Sequence, residues 1–304
     1  LVGPGRKYAG YGIHSVLPAG VGSVSFDTKT ILGEVDVHKD GSVMFEVPAR
    51  TPLYFQLVDK NGLVVQTMRS WATLMPGETF SCVGCHEDND SAPLPQASKS
   101  IAMQNAPQKL QPLHDISGKP FSYPQRVQPI WDEHCVSCHA PGEKAEEIDL
   151  SATLVKDNLE ERGVSSTRRQ FNQSYLTLLK VKWVDHGKFD TPRLDEGRPN
   201  KWIDYYTRMA AMELTPPYYA GSTQSGLIRM LQKGHGKTKL TPAEIETVAA
   251  WIDLNVPYVG EYDEMNIWDD EAKELYETKS AIRRKMETIE AKNILSYINE
   301  VQGQ

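Results

Sequence analysis

The sequence has no cysteine to spare. Four of its 304 residues are Cys, and all four fall in two copies of one pattern, Cys82-Val83-Gly84-Cys85-His86 and Cys135-Val136-Ser137-Cys138-His139. Nothing is left for a structural disulfide, and the lack of a stray thiol suits an oxidising compartment. No apolar run approaches the ~20 residues that cross a bilayer, so no membrane span is expected. Basic excess is missing too: 33 Lys and Arg stand against 40 Asp and Glu, a formal net charge of -7. That is the wrong sign for a surface that must displace counterions from nucleic acid. The acidic balance serves solubility, and it equally suits steering toward a basic redox partner. There is no internal repeat beyond the two motifs. The chain opens on Leu1 in a Gly-rich stretch rather than on a Met and a signal-like segment, which is expected of a processed chain or one cut from a longer protein.

What is present is a soluble globular composition, 39% hydrophobic and 24% charged, with length for two domains. Strand patterns begin at Ile31. Residues Ile31 to Val37 lead to the turn Lys39-Asp40-Gly41, after which Val43, Phe45 and Val47 alternate with other residues as far as Pro48. A second hairpin is expected from Pro52 to Met68, turning at Asp59-Lys60-Asn61-Gly62, because Asn-Gly between β-rich runs is a strong hairpin signal. Together these predict a small antiparallel sheet, a sandwich, that passes the chain to the first motif through Met75-Pro76-Gly77-Glu78. Residues 88–124, punctuated by Pro and without sustained period, are expected to run over the surface as a linker.

Beyond Pro124 the pattern turns helical. Val127, Ile130 and Trp131 share one face of a short helix that delivers Cys135, with Pro129 tolerated in its first turn. Leu227, Ile228 and Leu231 predict a helix stopped by Gly234. Thr241-Pro242-Ala243-Glu244 is a capping box opening a helix with Ile245, Val248, Ala249 and Ile252 on one side, ending before Pro257. Residues 268–298 predict a long charged helix whose stripe of Leu275, Ile282, Met286 and Ile289 is expected to pack on its own domain. The fold class is therefore α+β. An N-terminal antiparallel β domain (1–90) carries the first motif, a linker covers 91–124, a mainly α-helical cytochrome c-like domain (125–262) carries the second, and a charged helix (263–304) closes the chain.

The pattern Cys-x-x-Cys-His has a physical reason. Two thiols three residues apart can each bond one vinyl group of a haem lying against one turn of chain, and the adjacent imidazole then faces the iron. Zinc ribbons and dithiol redox motifs are the competing uses. A zinc ribbon needs two knuckles with ~15–20 residues between them, whereas 49 residues (86–134) separate Cys85 from Cys135. A thioredoxin-like Cys-x-x-Cys follows a strand in a βαβ unit, and neither pair does. Two motifs that use every cysteine predict two haem c groups, bound by Cys82, Cys85 and His86 and by Cys135, Cys138 and His139. Attachment of such groups takes place outside the cytoplasm in bacteria, so a periplasmic or extracellular location is expected.

For the second haem, His235 in Lys233-Gly234-His235-Gly236 is the favoured distal ligand. It sits just past one helix and shortly before the next. Met212, in a Pro-rich stretch, is the rival; His would give the lower potential. His134 is poorly placed to reach the iron, and His186 is expected at the surface or beside the site. For the first haem His14, His38 and His114 are candidates, none well placed, and His38 is expected to be exposed. An open iron there is where substrate chemistry would occur, with Asp88 and Asp90 the nearest acidic groups in sequence.

The residues also resemble a known family. Gly33-Glu34-Val35-Asp36-Val37, Asp40-Gly41-Ser42-Val43, Val47-Pro48-Ala49-Arg50-Thr51-Pro52, Gln66-Thr67-Met68-Arg69-Ser70-Trp71, Pro76-Gly77-Glu78 and Ser81 to Glu87 resemble the middle domain of hydrazine synthase alpha subunit-like proteins. Val127-Gln128-Pro129-Ile130, Gly234-His235 and Trp251 to Pro257 resemble the family's C-terminal haem region. The resemblance covers most of residues 28–265. Long members carry an N-terminal β-propeller that is not part of these 304 residues, as expected of the haem-bearing remainder of such a protein or of a propeller-less relative. The resemblance implies an active five-coordinate first haem held by a Tyr shortly after the motif, and a second haem held by two His, here His139 and His235. Here His86 is followed by Glu87, Asp88, Asn89 and Asp90, a departure from that pattern. The expected function is extracytoplasmic electron transfer by a dihaem c-type cytochrome working with redox partner proteins, other cytochrome subunits or a larger complex. The alternative is a hydrazine synthase-like redox enzyme with an open first haem.

Overall fold

The structure is a computed structural model that describes residues 2–4, 28–68, 70–84, 100–156, 168–185, 190–194, 200–205 and 215–302. The second hairpin forms where the Asn-Gly turn places it. Asp59 turns the chain by accepting the N–H groups of Asn61 (2.8 Å) and Leu63 (3.1 Å) through Oδ1, while Gly62 N–H donates to Asp59 O. Strands β3 (Gln56–Val58) and β4 (Val64–Thr67) then pair antiparallel, with a bulge between Leu57 and Val58. The first hairpin is different. Strand β2 (Lys29–Ile31) pairs with β1 (Val2–Pro4), and residues 32–47 make only isolated bridges. The turn at His38–Ser42 is present (His38 N to Ser42 O, 2.9 Å), but the flanking backbone bonds elsewhere. Glu34 exchanges hydrogen bonds with Gln111, and Glu46 N and Met44 O bond Gln108.

The expected sandwich is thus replaced, among the described residues, by a two-stranded ribbon and a bridged strap. The described part of the expected linker supplies the missing partners. Gly118 N bonds Ile31 O and Phe121 N bonds Lys29 O, so residues 108–121 run back along the strand region. Asp40 adds side-chain anchors to Ile101 N and Ser42. These donors, Ile101 first, hold its carboxyl down at about 2.

The helical half holds α1 (Tyr123–Arg126), α2 (Gln128–His134), α3 (Gln173–Leu178), α4 (Gly226–Lys233) and α5 (Pro242–Asp253), followed by α6 (Asp270–Gln302). It also contains sheet that the helical patterns did not announce. Strands β5 (Leu154–Lys156), β6 (Arg168–Asn172) and β9 (Asn266–Ile267) form one antiparallel set, and β7 (Val181–Asp185) pairs with β8 (Asp190–Leu194). The protein is therefore mixed α and β, with small antiparallel sheets and several helices.

An aromatic core anchors this half. Tyr123, Phe171, Tyr175, Trp251 and Tyr258 are fully buried, with ring centres 4.9–6.1 Å apart. Each polar tip is matched, as buried Tyr and Trp require. Trp131 Nε1 donates to Tyr123 Oη, which donates to Ser174 Oγ; Tyr175 Oη donates to Val256 O, Tyr258 Oη to Asn172 Oδ1, and Trp251 Nε1 to Pro257 O. Ser174 in turn bonds Gln128 at the start of α2. The hydrophobic cluster around these rings also takes in Ile31 and Leu63 from the strand region. The hairpin is stitched on by Gln56 Nε2 to Asp253 O (2.8 Å), Val64 N to Ser222 Oγ (3.3 Å) and Gln66 Nε2 to Thr215 O (2.8 Å).

Helix α6 is unbroken over its 33 residues. Of the stripe expected to pack, Ile282, Met286 and Ile289 are exposed and Leu275 is half-buried; Ser280 is buried, and Arg283, Glu287, Ile294 and Ile298 are half-buried. The charged composition leaves both faces partly apolar, so periodicity alone does not settle which one packs.

Candidate functional site

The second motif is built on α2. Ile130 and Trp131 are buried in the aromatic core, and they fix the helix whose C-cap is Cys135. The chain then winds tightly: Cys135 N bonds Trp131 O (2.8 Å), and Cys138 N and His139 N both bond Cys135 O (3.0 Å). Cys135, Cys138 and His139 thus lie on consecutive turns of one short coil. The coil is held from beyond by Ala145 N to Cys138 O and by Leu150 N to His139 O (2.8 Å). Cys135 is half-buried against the core and Cys138 is exposed. Burial, and then the neighbouring Cys138, push the Cys135 thiol up to about 11.

The loop from Gly234 to Leu240 brings His235 to this coil. Gly234, at φ +82°, ends α4 in a conformation that side chains rarely adopt, and it turns the chain back. His235 and Thr238 then close on each other through two backbone hydrogen bonds of 3.0–3.1 Å. The result places the His235 ring 6.0 Å from that of His139, centre to centre, with planes 35° apart. A metal held between two imidazoles at about 2 Å on each side separates the ring centres by roughly 6 Å. Nδ1 of His139 is buried and has no hydrogen-bond partner among the described residues. Two thiols on the coil and two imidazoles close together are the donor types that a haem c would need.

His134 is bonded to a residue of α5. Its Nε2 lies 2.7 Å from Glu244 Oε1. Glu244 is the last residue of the capping box on α5, and its Oε2 accepts from Thr241 N (2.7 Å) and Oγ1 (2.8 Å). Burial raises the Glu244 carboxyl, but the Thr241 donors and His134 outweigh it and hold the group below its ordinary range. Met212 and His186 lie outside the described residues.

For the first motif, Cys82 is described and Cys85, His86, Asp88 and Asp90 are not. The approach to Cys82 is well defined. Leu53 pairs with Ala72, Arg50 N bonds Leu74 O, and the Met75–Glu78 turn closes with Glu78 N to Met75 O (3.1 Å) and Met75 N to Glu78 Oε2 (2.7 Å). Along it Trp71, Met75, Phe80 and Val83 are exposed, Trp71 by 73%. Of the candidate distal residues, His14 lies outside the described set and His38 sits half-buried at its turn rather than exposed. His114 is bonded by Nε2 to Glu246 Oε2 at 2.6 Å. Sequence reasoning missed both His–Glu pairs, since each joins residues over a hundred positions apart; only the capping box hinted that Glu244 had a fixed position.

Comparison with known proteins bears on the first half of the chain. Residues 5–87 match the family described as hydrazine synthase alpha subunit middle domain, so the match ends one residue past His86. The hydrazine synthase subunit alpha of Kuenenia stuttgartiensis is 37% identical over 62 residues, which is 20% of this chain and 8% of that relative. The aligned part thus spans less than a tenth of the relative's length. No solved structure matches.

Proposed function

We propose that this hydrazine synthase alpha-like chain is a dihaem c-type cytochrome that transfers electrons outside the cytoplasm. The observation that carries the reading is the pair of facing imidazoles, His139 and His235, 6.0 Å apart above a coil that presents Cys135 and Cys138. When bound there, the haem supplies a one-electron iron couple. The chain's own residues do the rest. Cys135 and Cys138 would anchor a haem through thioethers, and His139 and His235 would hold its iron, so that a change of charge need not change the ligands. The aromatic core behind α2 would keep the coil in place. Cys82, Cys85 and His86 would hold the first haem.

A second reading is favoured by where the family match lies. It covers the first motif and the segment leading to it. In that reading the first haem keeps an open position and carries out redox chemistry on a small nitrogenous substrate, and the second haem relays electrons. The bond from His114 to Glu246 supports it by removing one of the candidate sixth ligands. Redox partner proteins, including other subunits of a larger complex, fit either reading. No helix among the described residues is long and apolar enough to cross a membrane.

Carbon monoxide separates the two, because it binds only an iron with an open or labile position. Electron transfer alone predicts two low-spin haems, which carbon monoxide enters only as slowly as an axial ligand lets go. A catalytic first haem predicts a high-spin ferric signal from half the iron and one carbon monoxide bound per chain.

A further inference from the structure

His235 stands on a loop with little structure of its own. Between Gly234 and Leu240 the described bonds internal to it are the two that pair His235 with Thr238. Such a loop would let the imidazole swing away from His139 unless something else held it. What holds it comes from the motif side. Thr238 Oγ1 donates to the backbone carbonyl of His134 (3.3 Å), and His134 immediately precedes Cys135. The His134 ring reaches past the loop to Glu244 on α5 (2.7 Å), with each partner under a quarter exposed. Thr241, where the loop ends, then fixes the far oxygen of Glu244 by two bonds. The chain Thr238, His134, Glu244, Thr241 therefore ties the middle and the far end of the His235 loop to the residue just before Cys135.

We propose that His134, Glu244 and Thr238 are positioning residues, a clasp that keeps His235 opposite His139. The proposal rests on the reading of those two histidines as the axial ligands of the second haem. An ordinary ion pair between α2 and α5 would stabilise the packing of two helices and nothing more. The clasp differs in what it joins, the segment bearing one imidazole and the segment bearing the other. Glu133 has its carboxylate within 4.8 Å of the same donors but is exposed. Because His134 Nε2 and Glu244 Oε1 are bonded to each other, the three are read as a bonded pair with a solvated neighbour, not as a cation site.

The test uses the full chain loaded with haem and reduced, and it reads the rate at which carbon monoxide enters the second haem, which is set by how often His235 lets go. Thr238→Val removes one hydroxyl; Thr238→Ser keeps it. Losing one hydrogen bond of ordinary strength predicts entry about fivefold faster in Thr238→Val, with Thr238→Ser unchanged. Glu244→Gln, which weakens a charge-assisted bond, predicts about tenfold. Unchanged rates in Thr238→Val and Glu244→Gln, at full haem content and native circular dichroism, would overturn the clasp. So would a lower melting temperature without faster entry, which is what simple helix packing predicts. If Glu244→Gln fails to fold, the Thr238 pair decides alone. His235→Ala is the companion variant. Should it leave the second haem low-spin, the ligand assignment has failed; should it turn that haem high-spin while the Thr238 and Glu244 variants stay silent, only the clasp has.

Discussion

Asp253 is a buried carboxyl at the seam between the strand hairpin and the helices, and it makes stability depend on pH in a direction opposite to most carboxylates. It lies at the end of α5, 6% exposed. Ser222 donates to it twice, from N and from Oγ, at 2.7 Å each. Tyr54, Val64, Gly221 and the carboxylate of Asp59 are its other neighbours. Burial raises the Asp253 carboxyl from its ordinary 3.8 to about 7; the donors on Ser222 and Val64 N–H pull it down and Asp59 pushes it up, but burial dominates. The unfolded chain releases this proton near 3.8, and the folded chain keeps it until about 7. Within that window the folded state binds more protons, so this group's contribution falls as pH rises, and it is level below and above. At about 1.36 kcal/mol for each pH unit, the window is worth on the order of 4 kcal/mol, a large share of the ~5–15 kcal/mol that holds a typical protein folded. Asp253→Asn keeps the shape, leaves an oxygen for Ser222 N–H and removes the charge. The assay is urea unfolding of both proteins from pH 4 to 8. The Asn variant should gain on the natural chain steadily across pH 4–7 and exceed it above pH 7. Two curves that run parallel would refute the argument.

Gly221, against Asp253, has φ +93°, and a Cβ there would lie 2.5 Å from Asp253 Oδ1 and 2.6 Å from Val64 Cγ1. Gly221→Ala should cost about 1–3 kcal/mol by thermal unfolding, and a cost near zero would contradict the packing. Thr241→Ala removes the cap of α5 and should cost about 1 kcal/mol in the same assay. His235→Ala should turn the second haem from low-spin to high-spin and leave the first unchanged; Met212→Ala having that effect instead would reverse the ligand order. The pyridine haemochrome assay should give two c-type haems per chain, retained in the mass after denaturation, and a bare polypeptide mass would end the haem c reading.

What was legible in the sequence was legible because it was local. The Asn-Gly hairpin, the Pro129 helix leading to Cys135, the Gly234 stop and the Thr241–Glu244 box each depend on residues within a turn of one another, and each forms. The expected strands of residues 31–47 have the right alternation but find their partners in 108–111 and 117–118, a pairing no short window reveals. Proline and polar residues marked 88–124 as a linker; the same residues suit an irregular strap that lends isolated hydrogen bonds to strands without becoming one. On α6, apolar residues occur on two faces, and only the tertiary neighbours decide which is turned in.

The two motifs are alike in sequence, and on the proposed reading the described surroundings of each bear on its work. The second hangs from a helix locked into the aromatic core through Trp131 and Gln128, and its facing imidazole is brought by a loop tied back to the residue before Cys135. Every restraint there resists a change of ligand, which is what repeated passage of an electron requires. The first is approached through a segment that leaves Trp71, Met75 and Phe80 in water, and its candidate ligand His114 is held by Glu246 on α5. On the proposed reading, a first haem reachable from solvent or by a partner protein would be where an electron, or a substrate, arrives, and the second site would be where the electron is passed on.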